Sequence, residues 1–232
     1  MRHRTARGRI VYREKSGEIG GEHFVITGHS DGARTHRALC AFNDIELLRD
    51  VTYSVDAAWR PTDSFVRLTL KDQFLGSAWF RFAEGYAECE AFTAHEGRVS
   101  QRMVTAGRAN VFVPHSVVGD IWQVGALDKQ AGDRPHVIHG RMTSSPRTLG
   151  DSGPMLAFTG WGAGVPGTLH LQYRGETEVR VAAGTFPCMR VDIVRKDTPS
   201  LELYATGPDL IPVLLKAEFL GQSYELVELR TD

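Results

Sequence analysis

Apolar and polar residues alternate with a period of two along almost the whole chain, and short turn-forming segments punctuate the alternation at hairpin spacing. Val66, Leu68 and Leu70 share one face, opposite Phe65, Arg67, Thr69 and Lys71. Ala78, Phe80 and Phe82 oppose Ser77, Trp79 and Arg81; Met189, Val191 and Ile193 oppose Arg190 and Asp192; Val213, Leu215, Ala217 and Phe219 oppose Lys216 and Glu218. Side chains alternate across a strand, so each run reads as a strand with one buried face. Between the runs stand Asp31-Gly32, Asn43-Asp44, Glu84-Gly85, Glu96-Gly97, Ala183-Gly184, Asp197-Thr198-Pro199 and Gly221-Gln222, residues that form tight reversals.

Connections this short join antiparallel neighbours, because a parallel pair needs a long crossover. The chain holds roughly fifteen strand candidates, too many for one flat sheet. The expected architecture is all-β: a curled antiparallel sheet forming a barrel or a two-sheet sandwich, which also limits exposed edges. One short helix is expected near residues 115–124, with Pro114 at its first turn and Val117, Ile121 and Val124 at helical spacing. A single domain over residues 1–232 is expected, with a possible seam near 126–154, where polar loop-like stretches gather.

The 232 residues suffice to bury a core without disulfide or metal support. The net charge of -1 gives no sign of a nucleic-acid or membrane partner, and no apolar window approaches a membrane span. Arg2, Arg4, Arg7, Arg9, Arg13 and Lys15 crowd the start; they read as a frayed, solvated terminus, with a basic arm as the alternative. No apolar stretch of a secretory signal follows them. Cys40, Cys89 and Cys188 are odd in number and far apart, which speaks against a disulfide framework or a structural zinc site. The compartment is read as cytoplasmic.

Two motifs imitate chemistry. Gly150-Asp151-Ser152-Gly153-Pro154, with His95 and Asp120 or Asp128 upstream, resembles the serine turn and residue order of chymotrypsin-like proteases. The stretch between His95 and Ser152 is too short for that family's two barrels, and Pro154 replaces a glycine, so Ser152 is expected not to be a nucleophile. Gly162, Gly164 and Gly167 match a dinucleotide fingerprint. The residues after them alternate like a strand rather than open a helix, so a hairpin loop is expected. The nine histidines form no metal-binding spacing: His136 and His139 would point to opposite sides of a strand. No nucleotide, flavin or metal signature is present, and no cofactor is expected.

The remaining candidates form a pocket. Arg49, Val51, Tyr53 and Val55 share a face, and so do Trp79 and Arg81, placing aromatic and cationic groups together as a ligand site would. Glu88 lies on the next strand, and His115 and Trp122 belong to the helix that could close a barrel mouth. His115 and Glu88 are the candidate acid–base pair; Tyr53, Trp79, Arg49, Arg81 and Trp122 are the candidate ligand contacts. The rival arrangement puts Trp79 and Glu88 outside, since Ala87, Cys89 and Ala91 on the opposite face are small and could form the core.

Glu178-Val-Arg-Val-Ala-Ala-Gly-Thr-Phe186, then Cys188-Met-Arg-Val191, Leu210-Ile-Pro-Val213 and Tyr224-Glu-Leu226 resemble a bacterial family of uncharacterised antiparallel β proteins, a domain of unknown function. The resemblance covers about the last quarter of the chain. It implies a curled antiparallel sheet and brings no catalytic residues. The expected function is binding of a hydrophobic, aromatic or polycyclic small molecule inside a β-barrel. Catalysis is left open and leans to a cofactor-independent isomerase, lyase or hydrolase. The alternative is a non-catalytic small-molecule or lipid carrier, or an envelope-associated structural β protein. The oligomeric state is not legible.

Overall fold

The computed structural model describes residues 3–94, 97–127, 135–143, 167–194 and 199–232. Its strands are β1 (Arg4–Glu14), β2 (Gly17–Gly28), β3 (Arg34–Phe42), β4 (Leu47–Val55), β5 (Pro61–Leu70), β6 (Gln73–Ala83), β7 (Tyr86–Thr93), β8 (Gly97–Val104), β9 (Val111–Val113), β10 (His136–Thr143), β11 (Gly167–Val181), β12 (Gly184–Ile193), β13 (Leu201–Thr206), β14 (Ile211–Ala217) and β15 (Gln222–Thr231). Helix α1 (Val117–Trp122) lies between β9 and β10. All the strands belong to one sheet, in the order β8-β7-β6-β5-β4-β3-β2-β1-β15-β14-β13-β12-β11-β10-β9. Neighbours run antiparallel except β9 and β10, which are parallel. That exception follows from the connection: β9 reaches β10 by way of α1, a crossover long enough to restore the strand direction.

The expected all-β architecture is the observed one, and the alternation decides which face is buried. Ala78, Phe80 and Phe82 of β6 and Ala87, Cys89 and Ala91 of β7 point into the core. The sheet curls so that β9 and α1 lie within it. Phe112 of β9 packs against Tyr53 of β4 and against Phe80 and Phe82 of β6, at ring-centroid distances of 5.8, 4.8 and 4.9 Å. Trp122 of α1 meets His36 of β3 at 4.9 Å and Trp59 at 5.6 Å. Among the described residues no helix is long and apolar enough to cross a membrane.

Two local expectations are corrected. The basic start is not a frayed terminus: β1 runs through it and pairs with β2 on one side and β15 on the other. Ala6, Ile10 and Tyr12 are buried, whereas Arg7 and Arg13 are exposed. Arg7, Arg9 and Arg13 take the outward positions of an alternating strand. The helix is also shorter than expected. Ser116 is its N-cap, and the Ser116 Oγ accepts from the Gly119 N–H at 3.1 Å. Pro114 stands two residues ahead of that cap, and α1 passes into a 3-10 turn at Gln123–Ala126.

The two glycines that weaken the helical pattern are needed for packing. A Cβ at Gly119 would come within 2.5 Å of Pro114 Cγ, and one at Gly125 within 2.3 Å of the Trp59 ring. Trp59 cannot easily yield, because the Arg34 guanidinium stacks on it at 4.2 Å and Trp122 abuts it. Gly125→Ala is therefore expected to cost about 1–3 kcal/mol by overpacking. Urea unfolding of the variant measures this, and an unchanged midpoint would refute it.

Candidate functional site

The inner side of the N-terminal half carries a group that an apolar core does not ordinarily tolerate. Glu22 of β2 occupies an inward position between Gly20 and Phe24 and is fully buried. Its carboxylate accepts from the backbone N–H of Val117 at 2.7 Å and of Val118 at 3.3 Å, from the Tyr12 hydroxyl at 3.0 Å and from the Cys40 thiol at 3.4 Å. The first turn of α1 thus finds acceptors for its orphan donors in a strand side chain. Burial raises the Glu22 carboxyl above its usual range, and these donors pull against the rise. Glu22 fixes where the helix sits, and the helix fixes the site.

Beside α1 lies a cavity of about 540 Å³. Its polar side comes from the helix and its surroundings: Arg49 from β4, His115, Asp120 and Gln123, Arg141 from β10 and His170 from β11. Its opposite side comes from the C-terminal half of the sheet and is largely apolar, with Ile193, Leu201, Leu203, Leu215, Ala217 and Phe219. Tyr12 and Tyr224 line it as well.

The polar side is tied together by specific bonds. Arg49 Nη1 donates to the His115 carbonyl at 2.6 Å, and His115 has a left-handed backbone with φ 63°. A non-glycine residue in that region costs energy and persists only where its surroundings hold it. Arg141 Nε donates to Gln123 Oε1 at 3.1 Å, and Gln123 Nε2 donates to the Asp120 carbonyl at 3.0 Å. Burial pushes the Asp120 carboxyl up to about 7; Glu22 adds to the rise, and Arg141 and Arg49 oppose it. Burial also pushes the Tyr224 phenol up to about 12, with Asp120 contributing. The cavity thus holds a carboxyl able to exchange a proton near neutrality. Among the described residues no group of three His, Cys, Asp or Glu side chains is placed to share a metal ion.

The sequence-derived candidates fall into three places. Arg49 and His115 line the cavity. Tyr53 and Trp122 are buried in the aromatic core beside it, 5.9 Å apart, with the Trp122 Nε1–H donating to the Asp209 carbonyl at 3.2 Å. Trp79, Arg81 and Glu88 are on the outer face. Trp79 is 40% exposed, and Glu88 forms ion pairs with Arg81 at 2.8 Å and Arg102 at 3.6 Å. The expected union of Tyr53, Trp79, Glu88 and His115 in one internal site is therefore corrected. Ala87, Cys89 and Ala91 take the inward positions, and a strand that turns them inward must turn Glu88 outward. Ser152, His95, Gly162 and Gly164 lie outside the described residues.

The sequence pattern does not single out Glu22, Arg141 or Tyr224 as site residues, and it offers Asp120 only as an acid in the protease-like residue order. Glu22 had a signal, an acid in the inward register of β2. Arg141 had none, because its role comes from where β10 meets the helix.

No protein-family model and no curated protein matches the chain. A solved structure does: a β-barrel-like protein of domain of unknown function DUF1849 from Brucella abortus, with a TM-score of 0.52 and 10% sequence identity, over 99% of this chain and 97% of that one. The likeness is one of fold. It extends over nearly the full length of both chains, agrees with the curled sheet described above, and assigns no activity to the cavity.

Proposed function

We propose that this protein binds one hydrophobic small molecule in the cavity between α1 and the strands β12–β15. The observation that carries the reading is the two-sidedness of that cavity. Its wall of Leu201, Leu203, Leu215 and Phe219 faces a ring of polar groups anchored on the helix. A volume of about 540 Å³ falls within the roughly 300–1,000 Å³ of sites that hold a single small ligand. The continuous sheet supports a single domain over residues 1–232. The cytoplasmic reading rests on the sequence alone.

Titration with a neutral apolar fluorophore tests the proposal. Saturable binding to the parent protein is expected, with affinity reduced about tenfold in Leu201→Trp, which fills the apolar side. Absence of saturable binding, or equal affinity in a Leu201→Trp protein with an unchanged circular dichroism spectrum, would count against the cavity as the site.

A second reading, cofactor-independent proton transfer, rests on Asp120 rather than on Glu88. A carboxyl held near pH 7 in a half-enclosed cavity suits a general acid or base. Solvent deuterium appearing in a bound ketone, and failing to appear in Asp120→Asn, would favour turnover over simple holding.

A further inference from the structure

The outer face of β5–β8 carries aromatic rings where an antiparallel sheet with one solvated face ordinarily places polar groups. Phe65 of β5, Trp79 of β6 and Phe92 of β7 are each at least 40% exposed. Phe65 stands directly opposite Trp79, and Ser77 of β6 directly opposite Phe92. The small Ser77 side chain leaves a groove of about 440 Å³ among the three rings, with Glu90 of β7 and Arg98 of β8 also lining it. The rings are backed from outside the groove: the Arg81 guanidinium lies over Trp79 at 5.9 Å, and Phe74 stacks on Phe92 at 6.4 Å. The charges of the groove are already matched. Arg98 pairs with Glu90 at 3.2 Å, and the Ser100 hydroxyl donates to the same carboxylate. An anion would meet Glu90 and a cation would meet Arg98, so a net charge on the ligand gains little.

A wholly apolar partner would also fit poorly, because it would strip water from the Glu90–Arg98 pair without replacing the lost hydrogen bonds. A neutral polyhydroxyl ring meets both demands. Its hydroxyls take over from water around the carboxylate and the guanidinium. Its C–H face, slightly positive, lies against the negative face of an aromatic ring. That contact is closest where every ring substituent is equatorial, as in β-1,4-linked glucose. We infer that the outer groove binds a neutral oligosaccharide of equatorially substituted pyranose rings, stacked on Phe65, Trp79 and Phe92 and hydrogen-bonded to the Glu90–Arg98 pair. This site is on the other side of the sheet from the cavity and does not depend on it.

The test is calorimetric titration of the full chain with four β-1,4-linked hexamers: those of glucose and N-acetylglucosamine, which are neutral, of glucuronate, an anion, and of glucosamine, a cation. At least one neutral hexamer is expected to bind saturably and more tightly than either charged one. Its affinity is expected to stay level between about 0.05 and 0.5 M NaCl, as screening does not touch a neutral ligand. Trp79→Ala is expected to weaken it about fivefold or more, whereas Trp79→Tyr keeps an aromatic face and is expected to retain most of it. The Tyr variant separates loss of the ring from loss of the fold. Leu201→Trp, which fills the inner cavity, is expected to leave hexamer binding unchanged, so this site and the cavity stand or fall separately. Failure of both neutral hexamers to bind, tighter binding of a charged hexamer, or equal affinity in Trp79→Ala would overturn the assignment. So would sedimentation showing a dimer of the parent chain that Trp79→Ala dissociates, which would make the face an interface between two copies.

Discussion

At about pH 4.5 a His36→Leu variant is expected to be more stable than the parent protein by about 3 kcal/mol, and at pH 7 the two are expected to differ little. His36 lies in the inward register of β3, fully buried, with its ring edge-on to Tyr53 and Trp122. Neither ring nitrogen has a hydrogen-bond partner among the described residues. Burial, with a smaller contribution from Arg37, pushes its pKa down from 6.5 to about 3. The folded chain thus refuses a proton that the unfolded chain accepts below about pH 6.5. Stability from this group is complete above that value and declines toward pH 3 by about 1.4 kcal/mol per pH unit. Asp120 works in the opposite direction. The fold keeps its proton up to about pH 7, whereas the ordinary value is 3.8, so Asp120 favours the folded state on the acid side. The comparison must therefore be between variant and parent at each pH, by urea unfolding. Parallel pH profiles for the two proteins would show that His36 is not the group responsible.

Glu22→Leu is expected to cost about 3–5 kcal/mol at neutral pH, because it strands the Val117 and Val118 N–H groups and the Tyr12 hydroxyl away from water. Glu22→Gln keeps one acceptor oxygen but turns an amide NH₂ toward groups that are themselves donors, so an intermediate loss of about 1–2 kcal/mol is expected. Urea midpoints at pH 7 order the three proteins, and a Glu22→Leu protein as stable as the parent would remove Glu22 as the anchor of α1. The same substitutions are expected to blur the cavity. Asp120 and Gln123 reach it only because the helix is held against β2.

Period-two alternation carried most of the architecture because it reports burial directly. Val66 and Leu68, Ala78 and Phe80, and Val213 and Leu215 all point inward as the pattern requires. The same rule, followed strictly, puts Trp79 and Glu88 outside. Their chemistry, an aromatic and an acid, suits a ligand site, but the small residues opposite them, Ala87, Cys89 and Ala91, mark the core. Arg49 shares a face with Val51 and Tyr53, and the structure puts that face inside, so its place at the cavity was legible. Arg141, Gln123 and Tyr224 were not. Arg141 on β10, Gln123 in the turn after α1 and Tyr224 on β15 line one cavity, and no spacing in a sequence encodes which elements converge. The N-terminal arginines show the converse: charge density suggested a solvated tail, but the residues between them, Ala6, Gly8, Ile10 and Tyr12, already had strand periodicity.

The middle of the sheet is built from the two strands most distant in sequence, β1 and β15, paired from Ala6 with Thr231 to Arg13 with Ser223. During synthesis β1 through β8 can assemble by successive hairpins, yet one edge of β1 stays open until β15 has left the ribosome. An open edge is a template for pairing with other chains, and closing the longest loop comes last. Assembly of the cavity is delayed by the same seam: Glu22 and Arg49 belong to the early half, whereas the apolar wall of Leu203 and Leu215 belongs to the late one. The two walls of the cavity therefore come together only once β1 and β15 have met.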